Sequence, residues 1–100
     1  MSTPAFSPMG STVNLAATTS TGNVALSGFG VGGGNVRLYN SGSVVVFVNF
    51  GGAAVTAVLT TSMPLAPGAS EVFAVGEGQY MAGITASGSA TVYATIGQGV

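Results

Sequence analysis

A chain of 100 residues has room for one domain, and this one has only three charged side chains: Arg37, Glu71 and Glu77. Because it contains no His, Cys, Lys or Asp, the composition excludes imidazole and thiolate metal sites and most forms of general acid–base catalysis. A net charge of −1, without a cluster of Lys and Arg, predicts neither a nucleic acid partner nor a membrane partner.

The first predicted element is an extended N-terminal arm, residues 1–10, because Pro4 and Pro8 lack the N–H that a strand ladder needs. The remaining residues, 11–100, are expected to form one domain. Alternation of apolar and polar side chains predicts short strands at residues 12–17, 23–27, 34–40, 43–50, 54–60, 71–75, 79–86 and 89–96. Residues 63–70, MPLAPGAS, are expected to turn a corner because they contain two prolines and a glycine.

About eight short strands at this spacing are typical of an antiparallel sandwich or barrel. The predicted fold is therefore all-β: a single antiparallel β-sandwich, jelly-roll-like, with the arm at its N-terminus. The strongest strand is 43–50, since one face is entirely apolar and the other carries Val45 and Phe47. A strand of this kind is central in a sheet and covered on both faces, or it lies at a subunit interface.

Two turns share the sequence Ser-Gly-Ser, at residues 41–43 and 87–89. Their glycines, Gly42 and Gly88, can adopt the positive φ that a tight hairpin requires. The sequence therefore predicts two β-hairpins, each formed by the two strands that flank one of these turns.

Gly28, Gly30 and Gly33 have the G-x-G-x-x-G spacing of a dinucleotide-binding loop. That loop needs a helix directly after the glycines and an acidic residue about 20 residues further on. Residues 35–40 are instead strand-like, and the next acidic residue is Glu71. A hairpin or a flexible loop is the expected structure, and no cofactor is predicted.

No constellation of side chains predicts catalysis. Glu71 opens a strand and Glu77 lies in a turn, so the two carboxylates are expected to be separate solvated groups rather than an acid–base pair. Ser and Thr are abundant, but a nucleophile needs a neighbouring base, and the chain has no His or Lys. We therefore expect that the protein is not an enzyme.

The candidates for partner binding are the apolar side chains of the arm, Phe6, Pro8 and Met9, and the only cation, Arg37. Exposed apolar residues in an arm usually dock onto a partner, although simple terminal disorder is the alternative. Arg37 is either an exposed strand residue or one half of an intersubunit ion pair with one of the two Glu residues.

The three tyrosines, Tyr39, Tyr80 and Tyr93, also have two interpretations. They would suit a stacking platform for a sugar if they lay together. Because they are predicted on different strands, the more common interpretation is that they are core or rim residues whose hydroxyls reach water.

Three segments resemble small proteins that are encoded beside capsid genes in tailed bacteriophages and prophages. They are VRLYNSGSVVVFVNFGGAAVTA at 36–57, MPLAPGASEVFAV at 63–75 and GITASGSATVYATIGQG at 83–99. The pattern is a strand ending in Asn, a Ser-Gly turn, a Val-rich strand ending in Phe-Gly, and a Pro-rich corner before Glu-Val-Phe. The resemblance implies a capsid decoration, or cement, protein: a small β-sandwich or jelly-roll domain that binds the major capsid protein as a dimer or trimer.

The composition agrees with that expectation, because small Ala and Gly side chains give a thin core and burial between subunits compensates for it. The expected function is a virion structural protein on the capsid exterior, made in the host cytoplasm, that stabilises the phage head. The alternative is a head fibre, spike or tail-associated binding module that contacts the host surface or a glycan.

Overall fold

The computed structural model describes residues 6–26, 34–76 and 79–98, and these form an all-β sandwich. Its strands lie in two antiparallel sheets of four, which confirms the predicted fold class. The strands are β1 (Ser7–Ala17), β2 (Gly22–Ala25), β3 (Gly34–Asn40), β4 (Val46–Gly51), β5 (Met63–Leu65), β6 (Ser70–Val75), β7 (Tyr80–Thr85) and β8 (Ala90–Gln98). Within the described ranges, no helix is long and apolar enough to span a membrane.

The order of the strands gives the topology. Sheet I has the order β1-β8-β3-β6, and sheet II has the order β2-β7-β4-β5. The strands therefore pair from the two ends of the chain inward: β1 with β8, β2 with β7, β3 with β6 and β4 with β5. Such nested pairing is that of one long hairpin wrapped into two sheets, which is the jelly roll.

The core lies between the two sheets and is built from every second residue of the strands. In β3, Val36 and Leu38 are fully buried, whereas Arg37 and Tyr39 are exposed on the opposite face, as the alternation in the sequence predicts. Small residues in one sheet face large residues in the other. A Cβ added to Gly83 in β7, for example, would lie 2.8 Å from Cδ2 of Leu15 in β1. The absence of that side chain lets the two sheets approach each other.

The two Ser-Gly-Ser turns do not form hairpins, so that prediction is wrong. β3 and β4 lie in different sheets, as do β7 and β8, and each turn carries the chain from one sheet to the other. Gly88 has a positive φ of 73°, as expected, but Gly42 does not. Gly42 is needed for a close approach instead, because a Cβ there would collide with Cβ of Ala90.

Asn40, the last residue of β3, explains why the chain leaves sheet I at this point. Its side chain is completely buried. The Nδ2 group donates hydrogen bonds to the backbone oxygens of Val44 and Leu65, both at 2.9 Å, and Oδ1 accepts one from the N–H of Gly42 at 2.9 Å. This side chain therefore fixes the turn after β3 and joins it to β5 in sheet II.

The connection from β4 to β5 does not contain the strand predicted at 54–60, so that prediction is also wrong. Side chains of sheet II hold this connection in place of a neighbouring strand. Nδ2 of Asn23 donates to the backbone oxygen of Ala53 at 3.0 Å, and Nδ2 of Asn49 donates to that of Thr56 at 3.1 Å.

This connection, residues 52–62, is named the covering segment because it lies over part of the outer face of sheet II. Ala82 faces outward between Asn23 and Asn49, yet it is 0% exposed. Ala57, within the segment, is only 3% exposed. The central strand β4 thus has the core on one face, and around Asn49 it has the covering segment on the other.

The N-terminal part of the chain pairs with β8 from Ser7 onward. Pro8 lies opposite Gly97, and the register shifts between Pro8 and Thr12, which is the mark of a β-bulge. Residues 7–10 therefore belong to β1, and Pro8 takes part in its pairing with β8. Residues 1–5 lie outside the described part of the chain.

The corner predicted at 63–70 is shorter than expected. Its first three residues form the edge strand β5, where Pro64 is tolerated because an edge strand has unpaired positions. The turn itself follows, and Gly68 adopts a positive φ of 75° there. The G-x-G-x-x-G glycines, Gly28, Gly30 and Gly33, lie outside the described residues.

Candidate functional site

The outer face of sheet I presents two tyrosines side by side. Tyr39 in β3 and Tyr93 in β8 are opposite each other in the register, and they are 43% and 42% exposed. Asn14 in β1 lies opposite Tyr93, and Ser70 in β6 lies opposite Tyr39. These four residues, one from each strand of the sheet, are named the tyrosine row.

The sequence did not predict this row, because the two tyrosines are far apart in the chain and only the nested pairing of strands brings them together. Tyr80 is not part of it, since β7 belongs to sheet II. The signal that could have predicted the row is the register of β3 against β8, which depends on the jelly-roll topology rather than on local sequence.

Arg37 lies on the same outer face, two residues before Tyr39 in β3, and is exposed. Thr95 is opposite it in β8. Glu71 is opposite Leu38, whose side chain is in the core, so Glu71 and Arg37 extend from opposite faces of the sheet. The ion pair with Glu71 is therefore not made within one chain, and Glu77 lies outside the described residues. On this face, Arg37 is the only charged side chain that the structure describes.

A shallow hollow of about 250 Å³ adjoins the tyrosine row on the side away from Arg37. It is lined by Ala16, Ser41, Gly42, Ser89, Ala90 and Thr91. The pair formed by Ala16 and Thr91 is the next outward-facing pair after Asn14 and Tyr93. Both the backbone N–H and the Oγ of Ser41 donate to the backbone oxygen of Thr91 at 3.0 Å. Arg37, the tyrosine row and the hollow thus follow one another along the strands.

The outer face of sheet II is different, because it carries an apolar groove of about 440 Å³. The groove is lined by Ser43, Val44, Val45, Phe47, Pro67, Ala86 and Ser87. Phe47 lies on this outer face with Ile84 of β7 and Pro64 of β5 on either side. The groove lies at the end of the sandwich where the chain turns from one sheet to the other, beyond the covering segment.

Three further apolar side chains of this sheet and its covering segment are exposed: Val58, Leu59 and Met63, at 46%, 41% and 49%. No charged residue occurs in any strand of sheet II or in the covering segment. The outer side of sheet II is therefore uncharged and carries the apolar groove together with the amides of Asn23 and Asn49, whereas the outer face of sheet I offers hydroxyl, amide and aromatic groups and one cation.

The four predicted partner-binding residues are only partly brought together. Phe6 is half-buried just before β1, and Pro8 is exposed in β1. Met9 is also in β1, but its side chain is outside the described part of the structure. Pro8 of β1 and Asn35 of β3 both lie opposite Gly97 of β8, on its two sides. Pro8 is therefore at the end of sheet I that carries Arg37. Their role in partner binding stays a prediction.

The polar side chains buried among the described residues are used within the fold. In the parts of the chain that the structure describes, no three His, Cys, Asp or Glu residues lie close enough to hold a metal ion. In the same parts, every buried polar side-chain atom has a hydrogen-bond partner. The buried polar residues, Asn40 and Thr85, are committed to the inter-sheet turns.

The described surfaces thus consist of an apolar groove on one side of a jelly roll and an aromatic, polar row on the other. What they bind has to be inferred from their own chemistry. No protein-family model matches the chain, and comparison with curated proteins and with solved structures gives no match either.

Proposed function

We propose that this chain is a capsid decoration protein, which binds a shell of major capsid protein and stabilises it. Attachment occurs through the outer face of sheet II. The observation that carries the proposal is the apolar groove beside Phe47 on a sheet that has no charged residue. The resemblance of residues 36–57, 63–75 and 83–99 to head-associated phage proteins suggests the identity of the partner.

The chemistry of the groove favours a protein surface as the partner. Apolar area removed from water contributes roughly 25 cal/mol per Å², so a docked apolar side chain from the shell would gain one to a few kcal/mol. Ordinary monomers expose few contiguous apolar patches, and larger ones usually mark interaction sites. Because the shell is a repeating lattice, each of the many copies of the chain would make the same modest contact.

The lack of charge on sheet II has a further consequence for attachment. Contacts between exposed charges are screened by salt within about 10 Å at ordinary ionic strength, but apolar contacts are not. A decoration protein attached through sheet II is therefore expected to stay on its particle in molar NaCl. The jelly roll also recurs in viral capsid proteins, which is an argument by analogy of fold only.

The test is an occupancy measurement with two matched variants added to particles that lack the protein. Val45→Asp places a carboxylate in the groove of sheet II, and Val72→Asp places one on the outer face of sheet I; both valines are half-buried. We expect Val45→Asp to lower occupancy by about tenfold or more, because an unpaired carboxylate in an interface costs several kcal/mol. Val72→Asp should bind as the unmodified chain does. Equal occupancy of the two variants would contradict the proposal.

A further inference from the structure

The outer face of sheet I is a second candidate ligand site, and the geometry points to an acidic oligosaccharide, a chain of pyranose sugars that carry carboxylates. This inference goes beyond capsid attachment and does not depend on it. The two surfaces are on opposite sides of the sandwich, so a chain attached through sheet II leaves sheet I facing solvent.

The first argument is the pair of tyrosines. Tyr39 and Tyr93 are opposite neighbours on adjacent strands, a relation that places Cβ atoms about 5 Å apart. Each exposes over two fifths of its surface, at 43% and 42%, although aromatic rings contribute most when they are buried. Neither hydroxyl is hydrogen-bonded to another residue of the described ranges. Ring faces that stack on the C–H faces of a sugar, with free hydroxyls at their tips, fit a pyranose chain.

The second argument is the charge. Arg37 is the only cation of the chain, and it is exposed on the same face as the tyrosines. It precedes Tyr39 by two positions along β3, a distance of about 7 Å. Since Glu71 is on the other face of the sheet, no described carboxylate compensates the guanidinium. A guanidinium binds a carboxylate through two parallel hydrogen bonds, so a sugar acid beside the tyrosines satisfies it.

The third argument is the extent of the polar surface beyond the tyrosines. The hollow on that side is edged by the hydroxyl residues Ser41, Ser89 and Thr91. Ser41 follows Arg37 by four positions in the chain, which corresponds to about 13 Å of extended backbone. That length suits several linked sugars rather than a single monosaccharide. Hydroxyl and amide side chains along it can bond to sugar hydroxyls.

Other polymers fit this face less well. A nucleic acid also stacks on aromatic rings, but its affinity depends on several cations that neutralise phosphates, and this face has one. A protein partner is favoured less, because the fully buried centre of a protein interface is its most apolar part, and polar Asn14, Ser70 and Thr95 surround the tyrosines here. The groove of sheet II has the character of a protein-docking surface instead.

The test is a titration of the purified chain with two acidic probes, hexagalacturonate and a hyaluronan hexasaccharide. Maltohexaose and oligothymidylate serve as the neutral and nucleic acid probes. Because the chain has three tyrosines and no tryptophan, its intrinsic fluorescence reports mainly on the proposed site. We expect at least one acidic glycan to quench this fluorescence in a saturable way, and both other probes to bind at least about tenfold more weakly, a difference of 1.4 kcal/mol.

Substitutions then assign the site. Tyr39→Ala and Tyr93→Ala should each weaken binding of the acidic glycan by about tenfold, which is the usual scale for losing one stacking ring. Tyr39→Phe should retain most of the binding, and Tyr80→Phe, on the other sheet, should leave it unchanged. Arg37→Gln should reduce the affinity for the acidic glycan to that for maltohexaose. A thermal unfolding temperature equal to that of the unmodified chain shows that each variant is folded.

Several outcomes overturn the inference. They are no binding of either acidic glycan, equal binding of maltohexaose, tighter binding of oligothymidylate, and equal effects of the Tyr93→Ala and Tyr80→Phe substitutions. None of these outcomes bears on capsid attachment, because the test of attachment depends on a substitution in the groove of sheet II. The two proposals can therefore fail separately.

Discussion

Replacing Asn40 with Asp changes one buried amide into a carboxyl group and leaves the shape of the side chain almost unaltered. In the native chain, Nδ2 donates to the backbone oxygens of Val44 and Leu65 at 2.9 Å each. An ionised carboxylate has no hydrogen to donate and repels both carbonyls. Only the bond from the N–H of Gly42 to Oδ1 is retained.

The magnitude follows from these contacts. A buried carbonyl that loses its donor costs about 1–3 kcal/mol, so the ionised form of the Asn40→Asp variant should lose about 2–6 kcal/mol of unfolding free energy. This is a large fraction of the roughly 5–15 kcal/mol that stabilises a typical domain. A protonated carboxyl group restores one donor and therefore about half of the loss.

The loss depends on pH in a defined direction. Burial against two carbonyls raises the pKa of the introduced carboxyl group in the folded state above its unfolded value of about 3.9. The protonated variant is thus closest to the native chain in stability below about pH 4, and the deficit grows as the pH rises through the folded-state pKa.

The assay is thermal unfolding followed by circular dichroism at about pH 3, 5 and 7, with Asn14→Asp as the matched control. Asn14 is exposed on the outer face of β1, and the native chain has only two acidic side chains of its own. Since 1 kcal/mol corresponds to about 4–8 °C for a domain of this size, the Asn40→Asp deficit at neutral pH should exceed about 8 °C. A deficit no larger than that of Asn14→Asp, or one that does not shrink in acid, would refute the role given to Asn40.

Three further predictions concern other parts of the fold. Gly42→Ala should lower the free energy of unfolding measured in urea by about 1–3 kcal/mol, because its Cβ meets the backbone of β8. Gly52→Ala, with nothing within 4 Å, should leave it unchanged, and equal free energies for the two variants contradict this. Asn49→Ala should accelerate hydrogen exchange in the covering segment but not in β3, and unchanged exchange argues against the covering role. Deleting residues 1–10, which lie in or next to sheet I, should leave occupancy unchanged if attachment occurs through sheet II, whereas lower occupancy at an unchanged unfolding temperature would support Phe6, Pro8 and Met9 as partner residues.

The alternation of side chains predicted seven of the strands, whereas β5 lies where a corner was expected and the strand at 54–60 is absent. In β3 and β8, the residues expected to share a face do so, and the buried ones form the core. Local alternation depends only on the pleat of a strand, so it is visible in the sequence.

The partners of those strands could not be predicted from local sequence. Whether a Ser-Gly-Ser turn closes a hairpin or crosses between sheets depends on Asn40, whose side chain bonds to Leu65, and on Gly42, which packs against Ala90. Both contacts join residues far apart in the chain. The same holds for residues 54–60, whose alternation resembles that of a strand, although side chains of β2 and β4 hold them across sheet II.

The two candidate surfaces differ in how far the sequence alone could predict them. The apolar residues Val45, just before β4, and Phe47, in β4, were visible in the sequence, and both line the groove. The tyrosine row was not visible, since Tyr39 and Tyr93 meet only through the register of β3 and β8. A polar binding surface assembled across strands requires the topology before its members can be grouped.

The proposal that this nearly uncharged chain attaches to a shell of other subunits can be examined in purified virus particles. Quantitative mass spectrometry, before and after a wash with molar NaCl, gives the ratio of this chain to the major capsid protein. Attachment through apolar contacts should give a fixed ratio that the wash leaves unchanged. Absence of the chain from the particles, or its release by salt, would show that the proposal is wrong.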